Sequence, residues 1–110
     1  MKSLIGLCLL SIAFQTNFSM AKEFEWSGYK WRTRPTSNRT MGPGSNLWSD
    51  ADENIFIDEK GDLHLKITQN AEGKWVCAEV AMVESLTYGT YEFELSSRYD
   101  KLAKNTVVGL

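Results

Sequence analysis

Glu79 stands inside "WVCAEVAM", Trp75 to Met82, a run that is otherwise almost wholly apolar. A carboxylate in such a place must meet water, a ligand or a cation, because burying one unpaired in a dry core is costly. On a strand, Trp75, Cys77, Glu79, Ala81 and Val83 share one face, while Val76, Ala78, Val80 and Met82 share the other. The second face reads as core. The first reads as a lined groove, or as a face that holds an arginine partner, Arg32 or Arg34. A tryptophan beside a carboxylate suits sugar: the indole covers apolar C–H faces and the carboxylate accepts hydrogen bonds from hydroxyls. The alternative is an ordinary Glu–Arg pair held for packing.

The other candidate groups are weaker. "DADEN", Asp50 to Asn54, begins like a hand-type calcium loop, but the sixth and twelfth positions hold Ile55 and Gly61 where Gly and Glu are needed. Glu92 and Glu94 are spaced like paired glycosidase carboxylates, and a solvated outer strand face explains them more simply. His64 is the only histidine. It is out of phase with Leu63 and Leu65, which predicts a surface side chain and not a ligand. No Ser-His-Asp set, phosphate loop or metal cluster stands out. Asn38-Arg39-Thr40 fits an N-glycosylation acceptor, which has meaning only in a eukaryotic secretory pathway.

The elements that must position these groups read as β. In "FEWSGYKWRTR", Phe24/Trp26 and Tyr29/Trp31 each sit two apart, on one strand face per pair, and Ser27-Gly28 shifts the phase as a bulge would. "PTSNRTMGPGSN", Pro35 to Asn46, is a loop. "NIFIDEKGDLHLKI" predicts a hairpin, with Ile55 and Ile57 on one arm, Leu63, Leu65 and Ile67 on the other, and Gly61 in the turn. "QNAEGK" is a further turn, followed by the strand that carries Glu79. In "LTYGTYEFELSS", Tyr91, Phe93 and Leu95 alternate with Glu92, Glu94 and Ser96, which predicts another strand. "TVVGL" reads as a strand that stops midway. Short strands between turns, with no helical periodicity, predict an all-β antiparallel sandwich or barrel. About five strands are few for a closed sandwich, and a sheet ending in mid-strand leaves a bare edge. The expectation is therefore about the first half of a larger domain.

The chain has 110 residues and a formal net charge of −2, so one domain is the ceiling. No basic block is present, which argues against nucleic acid. "MKSLIGLCLLSIAF" has one lysine and then an apolar run too short to span a bilayer, and "SMA" ends at Ala21 with small residues at the positions signal peptidase reads. The expectation is a signal peptide over 1–21, a mature chain over 22–110, and export to the periplasm or the medium without a membrane anchor. Cys8 leaves with the signal. Cys77 remains as an unpaired cysteine, so no disulfide scaffold is available.

Four segments in order, "GPGSNLWS", "KGDLHLKI", "KWVCAEVAM" and "YGTYEFEL", followed by "LAKNTVVGL", together resemble the N-terminal half of glycoside hydrolase family 16, whose members include bacterial lichenases and laminarinases. The resemblance covers roughly Phe24 to Leu110. It implies a concanavalin-like jelly roll whose concave sheet forms a cleft for β-glucans and related polysaccharides. It also implies hydrolysis with retention through a covalent glycosyl-enzyme, carried by an acid-x-acid-x-acid strand: nucleophile, assisting Asp and general acid/base.

The acid pairs here, Glu23/Glu25, Asp50/Asp52 and Glu92/Glu94, do not extend to a third acid. No catalytic residue is assigned in this chain, which is expected to be inactive alone. Two positions carry over as substrate contacts. Glu79 looks like the family's cleft Glu that binds a glucosyl unit upstream of the scissile bond, and Asn46 in "SNLW" looks like the cleft Asn that holds a neighbouring unit. Trp48, close by, is a third candidate. In lichenases the cysteine matching Cys77 pairs with one just after that Asn. Leu47 stands there in this chain, a departure from that subgroup, and Cys77 then serves as a small apolar filler. The expected partner is a β-glucan-type polysaccharide, with a monomer in the complete protein. The alternative is a non-catalytic, lectin-like sugar-binding module or a relic fragment. No cofactor or metal is expected. A structural calcium ion is left open, since no ligand set for one can be assembled from these residues.

Overall fold

The computed structural model describes residues 20–110. The expected signal peptide, save its last two residues, lies outside the described residues.

The described chain is all-β: among the described residues there are eight strands, no α-helix and one 3₁₀ turn at Tyr99–Lys101. The strands are β1 (Glu23–Trp26), β2 (Tyr29–Thr33), β3 (Leu47–Trp48), β4 (Ile55–Ile57), β5 (Leu63–Leu65), β6 (Thr68–Gln69), β7 (Trp75–Cys77) and β8 (Val80–Met82). They form three small sheets, ordered β1-β2-β8, β3-β7-β6 and β4-β5. All pairs are antiparallel except β3 with β7, which is parallel.

Ser27-Gly28 is a turn and not a bulge. Both residues have positive φ, 51° and 79°, and Trp26 pairs with Tyr29 across them. Two left-handed residues between paired strands make the type I′ connection, whose twist matches that of the strands it joins. The phase shift in the sequence is therefore the chain reversing direction. The second predicted hairpin is present but shorter: Ile55 pairs with Leu65 and Ile57 with Leu63, around a turn in which Gly61 takes φ 86°, and the second arm stops before Ile67.

The strand predicted over Trp75–Val83 is two strands. Trp75–Cys77 joins β3 and β6, whereas Val80–Met82 joins β2, and Ala78-Glu79 is the step between the two sheets. An unbroken apolar run does not reveal such a step, because both halves have the same composition. The strands predicted in "LTYGTYEFELSS" and "TVVGL" are absent. From Glu84 to Leu110 no residue joins a sheet, and Tyr91, Phe93 and Leu95 are exposed. Their alternation is real, but a strand also needs a neighbour to take its N–H and C=O groups. No described segment does so.

The buried apolar side chains are few: Trp31 on β2, Leu47 and Trp48 on β3, and Val76 on β7; Thr33, Thr36 and Asn54 are buried as well. Burying a side chain such as Leu47 or Val76 contributes about 2 kcal/mol. Thr36 ties the loop to β3 in both directions: its N–H donates to the Trp48 carbonyl, and its Oγ1 accepts from the Trp48 N–H.

Candidate functional site

The register of β2 with β8 builds the site. Trp31 faces Met82, Arg32 faces Ala81 and Thr33 faces Val80. One further step along both chains brings Arg34 opposite Glu79. Alternation sends Trp31 and Thr33 into the core and Lys30 and Arg32 outward, so Arg34 and Glu79 belong to the open face. There the Arg34 Nη1 donates to Glu79 Oε2 at 2.8 Å, with the two side chains 32% and 34% exposed.

The guanidinium of Arg34 has a second neighbour. Its Cζ lies 5.3 Å from the centre of the Trp48 ring, within the range of a cation–π contact. Trp48 itself is only 9% exposed, and its Nε1 donates to the Met41 carbonyl at 3.0 Å. Glu79, Arg34 and Trp48 thus form a chain from solvent into the core. A hollow of about 360 Å³ opens at its outer end, lined by Arg32, Arg34, Pro35, Glu79 and Ala81 with Ala21 and Thr33. It holds one carboxylate, two guanidiniums and small apolar surfaces, which suits hydrogen-bonded capture of a polar ligand.

Of the predicted contacts, Glu79 and Trp48 come together through Arg34. Asn46 sits apart from the hollow. Its side-chain N–H donates to the Pro43 carbonyl at 2.8 Å, and its backbone bridges to Met41, closing the loop that carries Gly44 and Ser45 at positive φ. The amide is thereby held in place by its own loop. The tryptophan expected beside Glu79, Trp75, is 65% exposed and does not line the hollow. The break at Ala78-Glu79 separates it from Glu79, and Trp48, buried and likewise outside the lining of the hollow, is joined to Glu79 only through Arg34. Sequence reasoning named Arg34 as one of two partners but gave no sign of its stacking on Trp48, which depends on where the loop returns the chain.

Cys77 is unpaired and half-buried, opposite Trp48 in the parallel register, and burial pushes its thiol above the ordinary value. A thiol so placed is a poor nucleophile. Among the described residues, no group of three or more His, Cys, Asp or Glu side chains could hold a metal ion. Two of the "DADEN" acids are engaged otherwise: Asp52 Oδ1 accepts from the Lys22 Nζ at 3.3 Å, and Asp50 Oδ2 accepts from the Thr33 hydroxyl at 3.5 Å. His64 is not a free surface residue. Its Nε2 lies 2.8 Å from Asp58 Oδ2, and its ring stacks on Phe56 with centres 4.5 Å apart. Glu92 and Glu94 are exposed and lie outside any strand. No helix of the described residues is long and apolar enough to cross a membrane.

No family model, curated protein or solved structure matches the chain.

Proposed function

We propose that the chain is the sugar-binding, N-terminal part of an exported glycoside hydrolase family 16-like protein that acts on β-glucan-type polysaccharides with retention, on a jelly-roll sandwich. The observation that carries this reading is the Glu79 carboxylate: it stands on an open sheet face, one-third exposed, in a hollow of about 360 Å³. The carboxylate gives one oxygen, Oε2, to Arg34, which leaves its other oxygen for a hydroxyl. Two further observations support it. The parallel pairing of β3 with β7 sets Trp48 beside Cys77, so two of the segments that carry the resemblance are neighbours in space. The all-β architecture agrees with the expected class. The expected partner is a polysaccharide, and the complete protein acts as a monomer with no role for nucleic acid.

The second reading is a non-catalytic sugar-binding module. It is favoured by the hollow itself, whose Glu79, Arg32 and Arg34 can bind hydroxyls without any catalytic group. Both readings require sugar at Glu79. Calorimetric titration with laminarin and mixed-linkage glucan oligosaccharides tests this. The purified chain binds, and Glu79→Gln weakens binding roughly tenfold, the size expected when a charged hydrogen-bond acceptor is lost. Unchanged affinity in that variant removes Glu79 from the site. Sequence downstream of codon 110 separates the two readings: an in-frame acid triplet favours the enzyme.

A further inference from the structure

The hollow at Glu79 has more positive than negative charge. Arg34 is balanced by Glu79 through one ion pair. Arg32, two residues back on the same open face of β2, lines the same hollow and makes no ion pair or side-chain hydrogen bond among the described residues. The two residues are about 7 Å apart along the strand, a spacing that one sugar unit can bridge. Glu23 lies across from Arg32 in the β1–β2 register, yet it does not line the hollow and is not within ion-pair distance. Arg34 commits only its Nη1 to Glu79, which leaves further N–H donors of a five-donor fork.

Resting on the reading of this hollow as a sugar groove, we propose that its ligand is an anionic glycan, with a carboxylate or sulfate ester received by Arg32 and the neighbouring hydroxyls received by Glu79 and Arg34. Guanidinium groups suit this task because their planar fork matches the oxygens of a carboxylate or sulfate in pairs. Glu79 has a double role. It accepts hydroxyl hydrogen bonds, and by holding Arg34 it keeps that guanidinium over the Trp48 ring, which leaves Arg32 as the free cation. A neutral glucan would leave Arg32 with water alone.

The test is titration of the full chain, at low and at physiological salt, with three oligosaccharides of equal length: a neutral β-glucan, a uronate-bearing oligomer and a sulfated glucan. Inorganic sulfate is added as a competitor. At low salt at least one anionic oligomer binds about tenfold tighter than the neutral one, a gain of one charge-assisted hydrogen-bond pair, and the uronate and sulfate arms show which oxyanion is preferred. Salt narrows the difference. In Arg32→Gln the ratio of anionic to neutral affinity falls to about one, and Arg32→Lys, which keeps the charge without the fork, falls between. Glu23→Gln raises the ratio. Equal binding of neutral and anionic oligomers by the unaltered chain overturns the inference and leaves the sugar groove standing. Binding of no saccharide at all overturns both. Displacement of the glycan by inorganic sulfate at equal concentration also overturns it, since the sugar would then contribute nothing.

Discussion

The guanidinium of Arg34 lies between two partners of different kind, the carboxylate of Glu79 and the face of Trp48. Neither contact is strong alone. An ion pair one-third exposed contributes about 0.5 kcal/mol after screening, and the cation–π contact adds about 0.5–1 kcal/mol. Arg34→Met is therefore expected to lower stability by about 1 kcal/mol in urea denaturation. In a Glu79→Gln background the same change costs less, because the pair is already broken; equal costs in both backgrounds would mean that the two side chains do not interact. Much of this was legible in the sequence. A carboxylate inside "WVCAEVAM" calls for a cation or a polar ligand, and two arginines were within reach. Which one answers depends on a two-residue choice of register, which composition does not encode. The contact of Arg34 with Trp48 left no local signal, since it crosses the whole loop Pro35–Asn46.

Among the elements, the β4–β5 hairpin was read correctly because its turn chemistry and its alternation agree. Its finer structure shows why it holds. Asp58 Oδ1 accepts from the N–H groups of Lys60 and Asp62 at 2.9 Å each, while Oδ2 meets His64. The hydrogen bond to His64, and then those backbone N–H groups, hold the Asp58 carboxyl below its ordinary value of 3.8. A carboxyl depressed in the folded state stabilises fully above its unfolded value, and that contribution is lost as pH falls through the lower folded value. The melting temperature should thus drop as pH falls below 3.8, and Asp58→Asn should flatten that part of the profile; parallel profiles would show that Asp58 is uncoupled from folding. Asn54 is an element-level clamp that the sequence did not reveal. It is fully buried, and its Nδ2 donates to the Lys66 carbonyl at 3.0 Å and to Thr68 Oγ1 at 2.9 Å. It joins the start of β4 to β6. Asn54→Ala should cost about 2 kcal/mol, from two lost hydrogen bonds and a bared carbonyl; a cost near zero by urea denaturation would contradict the clamp. The split of the Trp75–Val83 run and the I′ turn at Ser27-Gly28 were misread for one reason. Periodicity states which residues share a face, but not which strand lies alongside.

For the molecule as a whole, every strand among the described residues lies between Glu23 and Met82, while Leu86, Tyr91, Phe93 and Leu95 beyond them are exposed. The all-β class was legible from turn spacing and alternation, whereas the layering of the sheets was not, because it rests on pairings between distant segments. The open face of the β1-β2-β8 sheet is where sugar chemistry is assigned, and the indole groups report on it directly. Trp26, Trp31, Trp48 and Trp75 give four separate indole N–H signals in a nitrogen-15 correlation spectrum. On titration with a laminarin oligosaccharide, the Trp48 indole and the Arg34 side-chain signals should move together with the backbone of Glu79, while the exposed Trp75 indole stays in place. A shift confined to Trp75, or a spectrum unchanged at saturating oligosaccharide, would contradict a binding groove at Glu79.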